Sequence, residues 1–155
     1  EFQAAVALAQ IENIQELVLW RKISGKLITD LLKTTKLFKT QDTPDYIEHS
    51  FWCVGARLNG DIDLWEKFRN KLFQESGERV FGAWKVPYLE PVMKTNKFDN
   101  YISKEYGKIN YEEGLCPNAE NIQKKMMVFK TKYRNQESLD NFVRGLEKTI
   151  KHFES

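Results

Sequence analysis

The sequence predicts an α+β domain in which a small sheet is covered by helices, and three observations lead to this fold class. Apolar residues recur at helical spacing in three segments, 14–32, 64–72 and 139–153. Between these segments, residues 49–58 and 126–129 have the apolar, β-prone composition of short strands. The chain has 155 residues, of which 41% are hydrophobic and 30% charged, and this is typical of one globular domain with a buried core.

The first predicted element is a long helix over residues 1–33. From Ile14 onward its apolar residues share one face, and we expect a bend at Gly25, a residue type that weakens helix interiors. Eight of the first eleven residues are apolar, which is more than a single buried stripe requires. No Ser, Thr, Asp or Asn precedes the helix as a cap. We therefore expect the chain to be cut from a longer protein that surrounds this helix.

A loop, a strand and a second helix are predicted next. The Lys- and Thr-rich residues 33–47 indicate a loop, and residues 49–58 a strand that is buried on at least one face. Asp61 or Asp63 can cap the following helix, and Gly77 ends it. One face of that helix carries the apolar residues Leu64, Trp65, Phe68 and Leu72.

The second half of the chain is predicted to be more irregular. A short strand over residues 79–84 precedes Pro87 and Pro91, which force the backbone into an irregular path. Residues 92–115 form a long polar loop whose aromatic side chains favour packing over disorder, namely Phe98, Tyr101, Tyr106 and Tyr111. The closing elements are a helix beginning at Pro117, a short strand over residues 126–129 and a final helix capped by Asn135.

Composition and charge argue against several classes of function. The 24 basic and 22 acidic residues leave a net charge of +2, too small a field to indicate a nucleic-acid or membrane partner. The apolar start is shorter than the roughly 20 residues of a membrane span and carries no basic leader, so we expect a cytoplasmic protein. Cys53 and Cys116, with His49 and His152, match no metal-site spacing, and we expect two buried free thiols.

The densest candidate site is the segment over residues 84–91. Trp84 and Tyr88 offer flat aromatic faces with polar tips, Lys85 and Glu90 offer opposite charges, and two prolines stiffen the backbone. Such a segment can bind a sugar or a phosphate. The alternative interpretation is an aromatic loop that packs on the domain and leaves its charges in solvent.

Other chemistry has weaker support in the sequence. There is no glycine-rich phosphate loop, Gly-x-Ser-x-Gly nucleophile or His-Glu-x-x-His metal site. His49 and Cys53 are poor partners as base and nucleophile, because residues four apart on a strand are separated by about 13 Å. A basic run is formed by Lys124, Lys125, Lys130, Lys132 and Arg134. Such a run can attract phosphate or nucleic acid, but the acidic residues that flank it favour a solvated face.

Four stretches, in a fixed order, carry a family pattern, and the first is EFQAAVALAQIENIQELVLWRKISGKL. It resembles the Glu-Leu-Gln-Ala-Ala-x-Gly-Leu-Ala-Gln-Leu helix of the DegT/DnrJ/EryC1/StrS sugar aminotransferases, with Phe2 in place of Leu and Ala7 in place of Gly. HSFWCVGARL resembles the family's His-x-Tyr/Phe strand, and GAWKVPYLEPV a tryptophan-bearing variant of its substrate loop. The last is LCPNAENIQKKMMVFKTKYRNQESLDNFVRGLEKTI, similar to the closing segment but without its common Leu-Pro form at Phe129 and Lys130.

This resemblance implies the C-terminal small domain of a fold type I pyridoxal phosphate enzyme, normally a homodimer. Residues 1–155 would be that domain, with an inter-domain helix at 1–33, a small mixed or antiparallel sheet and the large cofactor-binding domain outside the chain. The implied reaction moves an amino group from an amino acid, with glutamate expected, to a nucleotide-linked keto sugar in cell-surface polysaccharide or related biosynthesis. The Schiff-base lysine and the carboxylate facing the pyridine nitrogen belong to the large domain. We therefore expect this chain alone to have no catalytic residue, no bound pyridoxal phosphate and no activity.

The resemblance further implies that the chain contributes substrate contacts through Trp84, Lys85, Tyr88, Glu90 and His49, with no metal, nucleic-acid or membrane partner. Two other functions stay open. The chain can be a non-catalytic binding or dimerisation module that associates through the apolar residues 1–11. It can also bind nucleic acid through residues 124–134, in which case its affinity would fall with added salt.

Overall fold

The computed structural model of the protein describes residues 1–94 and 110–155, and these form a four-stranded antiparallel sheet covered by helices. The strands are β1 (Phe38–Thr40), β2 (Cys53–Leu58), β3 (Phe81–Gly82) and β4 (Met126–Lys130), in the spatial order β1-β2-β4-β3. The helices are α1 (Phe2–Glu12), α2 (Ile14–Lys33), α3 (Ile62–Ser76), α4 (Pro91–Lys94), α5 (Pro117–Gln123) and α6 (Gln136–Glu154), with a 3-10 helix at Pro87–Leu89. The predicted α+β class is confirmed. Of the predicted loop aromatics, Phe98, Tyr101 and Tyr106 lie outside the described residues.

One face of the sheet carries the core. Along β2 and β4 buried and half-buried residues alternate, so that Val54 pairs with Phe129 and Ala56 with Met127 on the inner face. The inner face packs with α2, α3 and α6 in one apolar cluster whose helical members include Ile28, Leu32, Phe68, Leu72, Leu139, Phe142, Leu146 and Ile150. Each of these side chains contributes about 1.5–3 kcal/mol through burial. The residues on the other face of these two strands are half-buried.

The predicted helix over residues 1–33 is interrupted, but at Asn13 and not at Gly25. The Asn13 side chain donates a hydrogen bond to the Ala9 carbonyl at 2.9 Å and so competes with the regular backbone bonds. α2 continues through Gly25, where an added Cβ would lie 2.2 Å from Cγ of Phe51. Gly25 therefore permits close packing, and the predicted bend is wrong. No residue of α1 is buried.

Local signals at the ends of α3 and α6 are confirmed. Asp61, and not Asp63, caps α3, because its Oδ1 accepts a hydrogen bond from the Leu64 N–H at 2.8 Å. Gly77 ends α3 with φ of 72°, a left-handed conformation that glycine adopts at little cost. Asn135 caps α6 by accepting from the Ser138 N–H at 2.9 Å.

Several predicted boundaries differ from the structure. The strand predicted at 49–58 begins only at Cys53, and residues 49–52 form an irregular segment in which Phe51 has φ of 51°. His49 is therefore not on a strand, so strand spacing does not set its distance from Cys53. The loop predicted at 33–47 contains β1, and the strand predicted at 79–84 is only two residues long.

Both cysteines in the described ranges are free thiols, as expected, but Cys53 is only half-buried and Cys116 is exposed, so the expectation that both are buried is wrong. In residues 1–94 and 110–155 there is no cluster of His, Cys, Asp or Glu that fits a metal ion. Within the same ranges, no helix has the length and apolarity that crossing a membrane requires.

Candidate functional site

The residues predicted to contact substrate lie at two places. Trp84, Lys85, Tyr88 and Glu90 follow β3 at one edge of the sheet, whereas His49 lies beside the β1 and β2 edge. The cavity that His49 lines contains none of the other four residues. The four predicted site residues of the 84–90 segment thus lie together, and His49 lies apart from them.

The segment over residues 84–90 is compact and partly exposed. Trp84 is 86% exposed and Lys85 is also exposed, while Tyr88 and Glu90 are half-buried. The 3-10 helix at Pro87–Leu89 gives this segment a defined backbone, because the Leu89 N–H donates to the Val86 carbonyl at 2.9 Å. Lys85 has no ion pair within the described parts of the chain. An aromatic face and an unpaired cation are therefore presented together to solvent.

A buried carboxylate lies directly behind this segment. Glu120, in the first turn of α5, is 8% exposed and accepts a hydrogen bond from the Tyr88 hydroxyl. The Gly114 N–H approaches both of its carboxylate oxygens, at 2.8 and 3.0 Å. The Cys116 N–H donates to the Tyr88 hydroxyl oxygen at 3.0 Å and approaches Glu120 Oε1 at 3.4 Å. One carboxylate thus joins the 84–90 segment to the turn that precedes α5.

These contacts shift the acidity of both partners. Hydrogen bonds to the carboxylate, first from Tyr88 and then from the Gly114 and Cys116 N–H groups, hold the pKa of Glu120 below its ordinary value. Loss of hydration, followed by the hydrogen bond to Glu120, raises the pKa of Tyr88 to about 12. At neutral pH the pair is therefore a phenol that donates to a carboxylate.

A cavity of about 320 Å³ opens beside this pair. Its lining includes Lys85 and Leu89 from the segment and Glu113, Gln123 and Lys124 from the region around α5. Lys124 pairs with Glu113 at 3.3 Å. Lys85 is therefore the cation in this lining that is left to attract an anionic group of a ligand.

The second cavity, of about 360 Å³, lies between α2, β1 and residues 41–55, and His49 is part of its wall. His49 Nδ1 accepts a hydrogen bond from the Phe51 N–H at 2.8 Å, which in the neutral imidazole assigns the proton to Nε2. The two rings stack with centroids 4.2 Å apart. His49 Nε2 is therefore available as a hydrogen-bond donor.

The wall of the second cavity has a strained backbone. A positive φ is rare for a bulky residue, yet Phe51 is fixed there by contacts on three sides. Its ring packs on Gly25, its N–H donates to His49 Nδ1, and its carbonyl lies 2.6 Å from the Thr131 hydroxyl.

Lysines of α2 also line this cavity, but Lys22 is paired with Glu48 and Lys26 with Asp30.

The basic run over residues 124–134 is partly neutralised. Lys124 pairs with Glu113 at 3.3 Å and Lys130 with Glu78 at 3.9 Å. Lys130 also lies over the Phe81 ring, 5.2 Å from its centroid. These contacts are those of a solvated, locally paired face.

The described residues do not fit pyridoxal phosphate. Such a cofactor requires a lysine amine and a facing carboxylate in a closed site. Of the lysines that line the two cavities, Lys22, Lys26 and Lys124 are already paired with carboxylates, and Lys33 and Lys85 are exposed.

Sequence analysis missed the part that Glu120 plays. The sequence places this residue in the first turn of a helix after Pro117, which indicates only a favourable interaction with the helix dipole. Its main partner, Tyr88, is 32 positions away in the sequence. Only the fold brings the two together.

The sequence matches no family model and no curated protein. The fold is similar to that of an aminotransferase, TlmJ from Streptoalloteichus hindustanus, in its crystal structure, with a TM-score of 0.66 and 14% sequence identity. The similarity covers 97% of this chain and 36% of that chain. At this identity the likeness shows the fold alone: the chain folds like a part of an aminotransferase, over about a third of that protein's length.

Proposed function

We propose that this chain is the C-terminal part of a DegT/DnrJ/EryC1/StrS aminotransferase that uses pyridoxal phosphate held by a large domain outside the chain. The intact enzyme would transfer an amino group from an amino acid such as glutamate to a nucleotide-linked keto sugar. The observation that carries this proposal is the fold shared with an aminotransferase over 97% of the chain. The four ordered sequence stretches support the choice of family.

The exposed first helix supports the proposal that this domain packs against a partner. Phe2, Leu8 and Ile11 of α1 are 85%, 58% and 62% exposed, and the helix buries no side chain. An apolar helix without a core is unusual in a stable domain. We assign its partner to the rest of the enzyme, because the chain spans only 36% of the similar aminotransferase. Residues 1–33 would then form the predicted inter-domain connection, as the two helices α1 and α2.

The 84–90 segment is the proposed substrate contact. Lys85 would bind an anionic group of the substrate, the faces of Trp84 and Tyr88 would pack on its rings, and Glu90 would accept from hydroxyl groups. His49 would donate from Nε2 to a separate part of the ligand, since its cavity is distinct.

The test is a comparison of two half-reactions in the full-length protein. Lys85→Ala should raise KM for the keto-sugar half-reaction about 10- to 100-fold, since a charge-assisted hydrogen bond contributes about 1.5–3 kcal/mol. The half-reaction with the amino acid donor should not change. Lys39→Ala, which removes an exposed lysine of β1, is the matched control. A full-length protein that shows no cofactor absorbance would refute the proposed activity.

The second candidate function is a non-catalytic module that assembles through α1, and the exposure of that helix favours it. This alternative predicts that the full-length protein forms dimers but binds no pyridoxal phosphate. Sedimentation with absorbance detection separates the two functions, because it reports the mass and the cofactor of the same species.

A further inference from the structure

Two residues of α5 hold the candidate substrate segment from behind. Gln123 Nε2 donates to the Ala83 carbonyl at 3.1 Å, and Glu120 accepts from the Tyr88 hydroxyl. They are three positions apart and so lie on the same side of the helix. Lys85 lies between the two attachment points, Ala83 and Tyr88. The course of the backbone at Lys85 is therefore set by α5.

A carboxylate is the side chain that suits the position of Glu120. The groups that approach it are an O–H from Tyr88 and N–H groups from Gly114 and Cys116, all of them donors. An ionised carboxylate is acceptor-only and can satisfy several donors at once. Glutamine has the same size, but its NH2 group would face one of these donors. The isosteric substitution is thus a specific perturbation of the hydrogen bonds.

Tyr88 connects Glu120 to the backbone of the 84–90 segment. Its hydroxyl oxygen accepts from the Cys116 N–H at 3.0 Å, which directs its own proton to Glu120. Its backbone belongs to the 3-10 helix, in which Leu89 and Glu90 donate to Val86 and Pro87 at 2.9 and 3.1 Å. Fixing the phenol therefore fixes the turn that follows Lys85.

We infer that Glu120 is a positioning residue that, by holding Tyr88, sets the orientation of Lys85 toward the substrate. This inference rests on the proposed function of the 84–90 segment. Glu120 also lines the cavity beside Lys85, but its carboxylate oxygens are occupied by the Tyr88 hydroxyl and by backbone N–H groups. In this proposal its effect therefore reaches the ligand through Tyr88 and Lys85.

The structural arm of the test is amide hydrogen exchange. In Glu120→Gln the Leu89 and Gly114 amides should exchange about tenfold faster, because their local opening becomes easier. The Leu146 amide in α6 should keep its rate. Glu112→Gln, which removes one exposed charge from the same turn, is the control and should change neither. Tyr88→Phe should accelerate Leu89 and leave the protein folded.

Two exchange results would overturn the inference. Unchanged rates at Leu89 in both Glu120→Gln and Tyr88→Phe would show that the pair does not hold the segment. Acceleration that is equally large at Leu146 would show that Glu120 supports the whole domain and not this segment.

The functional arm uses the full-length enzyme and a double mutant. Glu120→Gln should raise KM for the keto-sugar half-reaction several-fold and leave the amino-donor half-reaction unchanged. In a Lys85→Ala background its added effect should be smaller, because the part that acts through Lys85 is gone and only the contact of Tyr88 with the substrate remains. Full additivity would contradict action through Lys85. If the enzyme has no such activity, the proposed function fails while the exchange results still decide whether Glu120 positions the segment.

Discussion

Replacing Gly25 by alanine tests whether the strained wall of the His49 cavity depends on close packing with α2. An added Cβ would lie 2.2 Å from Cγ and 2.5 Å from Cβ of Phe51, well inside contact distance. These atoms are close to the Phe51 backbone, so rotating the ring tip does not relieve the clash. The irregular segment that carries His49 and Phe51 must therefore move.

Three terms set the size of the effect on the free energy of unfolding. Alanine is favoured over glycine in a helix interior by about 1 kcal/mol. Overpacking costs about 1–3 kcal/mol, and loss of the hydrogen bond from Thr131 to the Phe51 carbonyl costs about 1 kcal/mol more. The expected net loss is about 1–3 kcal/mol, and each kcal/mol lowers Tm by about 2–4 °C in a chain of this size.

Urea denaturation of a double-mutant cycle measures the packing term. In a Phe51→Gly background the contacting Cβ and ring atoms are all absent, so Gly25→Ala should become stabilising by about 1 kcal/mol. Gly82→Ala, where the nearest side-chain atom would be 3.5 Å away, is the control for adding a methyl group. An equal destabilisation by Gly25→Ala with and without the Phe51 side chain would show that the clash with Phe51 is not the cause.

Three further outcomes follow from single side chains. Asn135→Ala should lower the unfolding free energy in urea by about 1 kcal/mol, because the Ser138 N–H loses its cap acceptor. Tyr133→Phe should leave stability unchanged or raise it by about 1 kcal/mol, because in the described chain its buried hydroxyl has no hydrogen-bond partner. The pKa of Glu120 is lower in the folded protein than its ordinary value of 4.5, so its contribution to stability is present above that pH and is lost as the pH falls through the folded pKa. Stability measured against pH should therefore fall less steeply on the acid side in Glu120→Gln.

Each of these outcomes has a result that contradicts it. An unchanged unfolding free energy in Asn135→Ala would mean that water replaces the cap. A loss above about 1 kcal/mol in Tyr133→Phe would reveal a partner for the hydroxyl. If stability falls equally steeply on the acid side in Glu120→Gln and in the unsubstituted protein, Glu120 titrates alike in the folded and unfolded chains.

The elements that sequence analysis predicts well are those with local signals. α6 has apolar residues at helical spacing and Asn135 at its start, and α3 is bounded by Asp61 and Gly77. Spacing, caps and left-handed glycines depend on neighbours within a few positions, so the sequence contains all the information they need.

The features that sequence analysis misses depend on distant partners. The role of Gly25 is decided by Phe51, and the short strand β2 begins only after a segment fixed by Thr131, which is 80 positions from Phe51. The early break at Asn13 is a local competition between a side chain and the backbone, but the same residue type also occurs where helices simply begin. The β-prone neighbours of His49 predict a strand there, and the contacts of Phe51 override that tendency.

The burial pattern distinguishes the apolar side chains that stabilise this domain from those that the proposed enzyme would use for contacts outside it. Every fully buried apolar side chain of the described core comes from Ile28 or later, so the apolar residues of α1 stabilise nothing in this domain. Yet α1 carries the beginning of the first stretch that resembles the aminotransferase family. A sequence that retains large apolar side chains on a helix without a core implies a contact outside the domain. The same argument applies to Trp84, which is 86% exposed on a segment that Glu120 and Gln123 hold in place. An ordered backbone beneath an exposed aromatic ring is the arrangement that a binding surface requires, since little conformational entropy is then lost when a ligand packs on it.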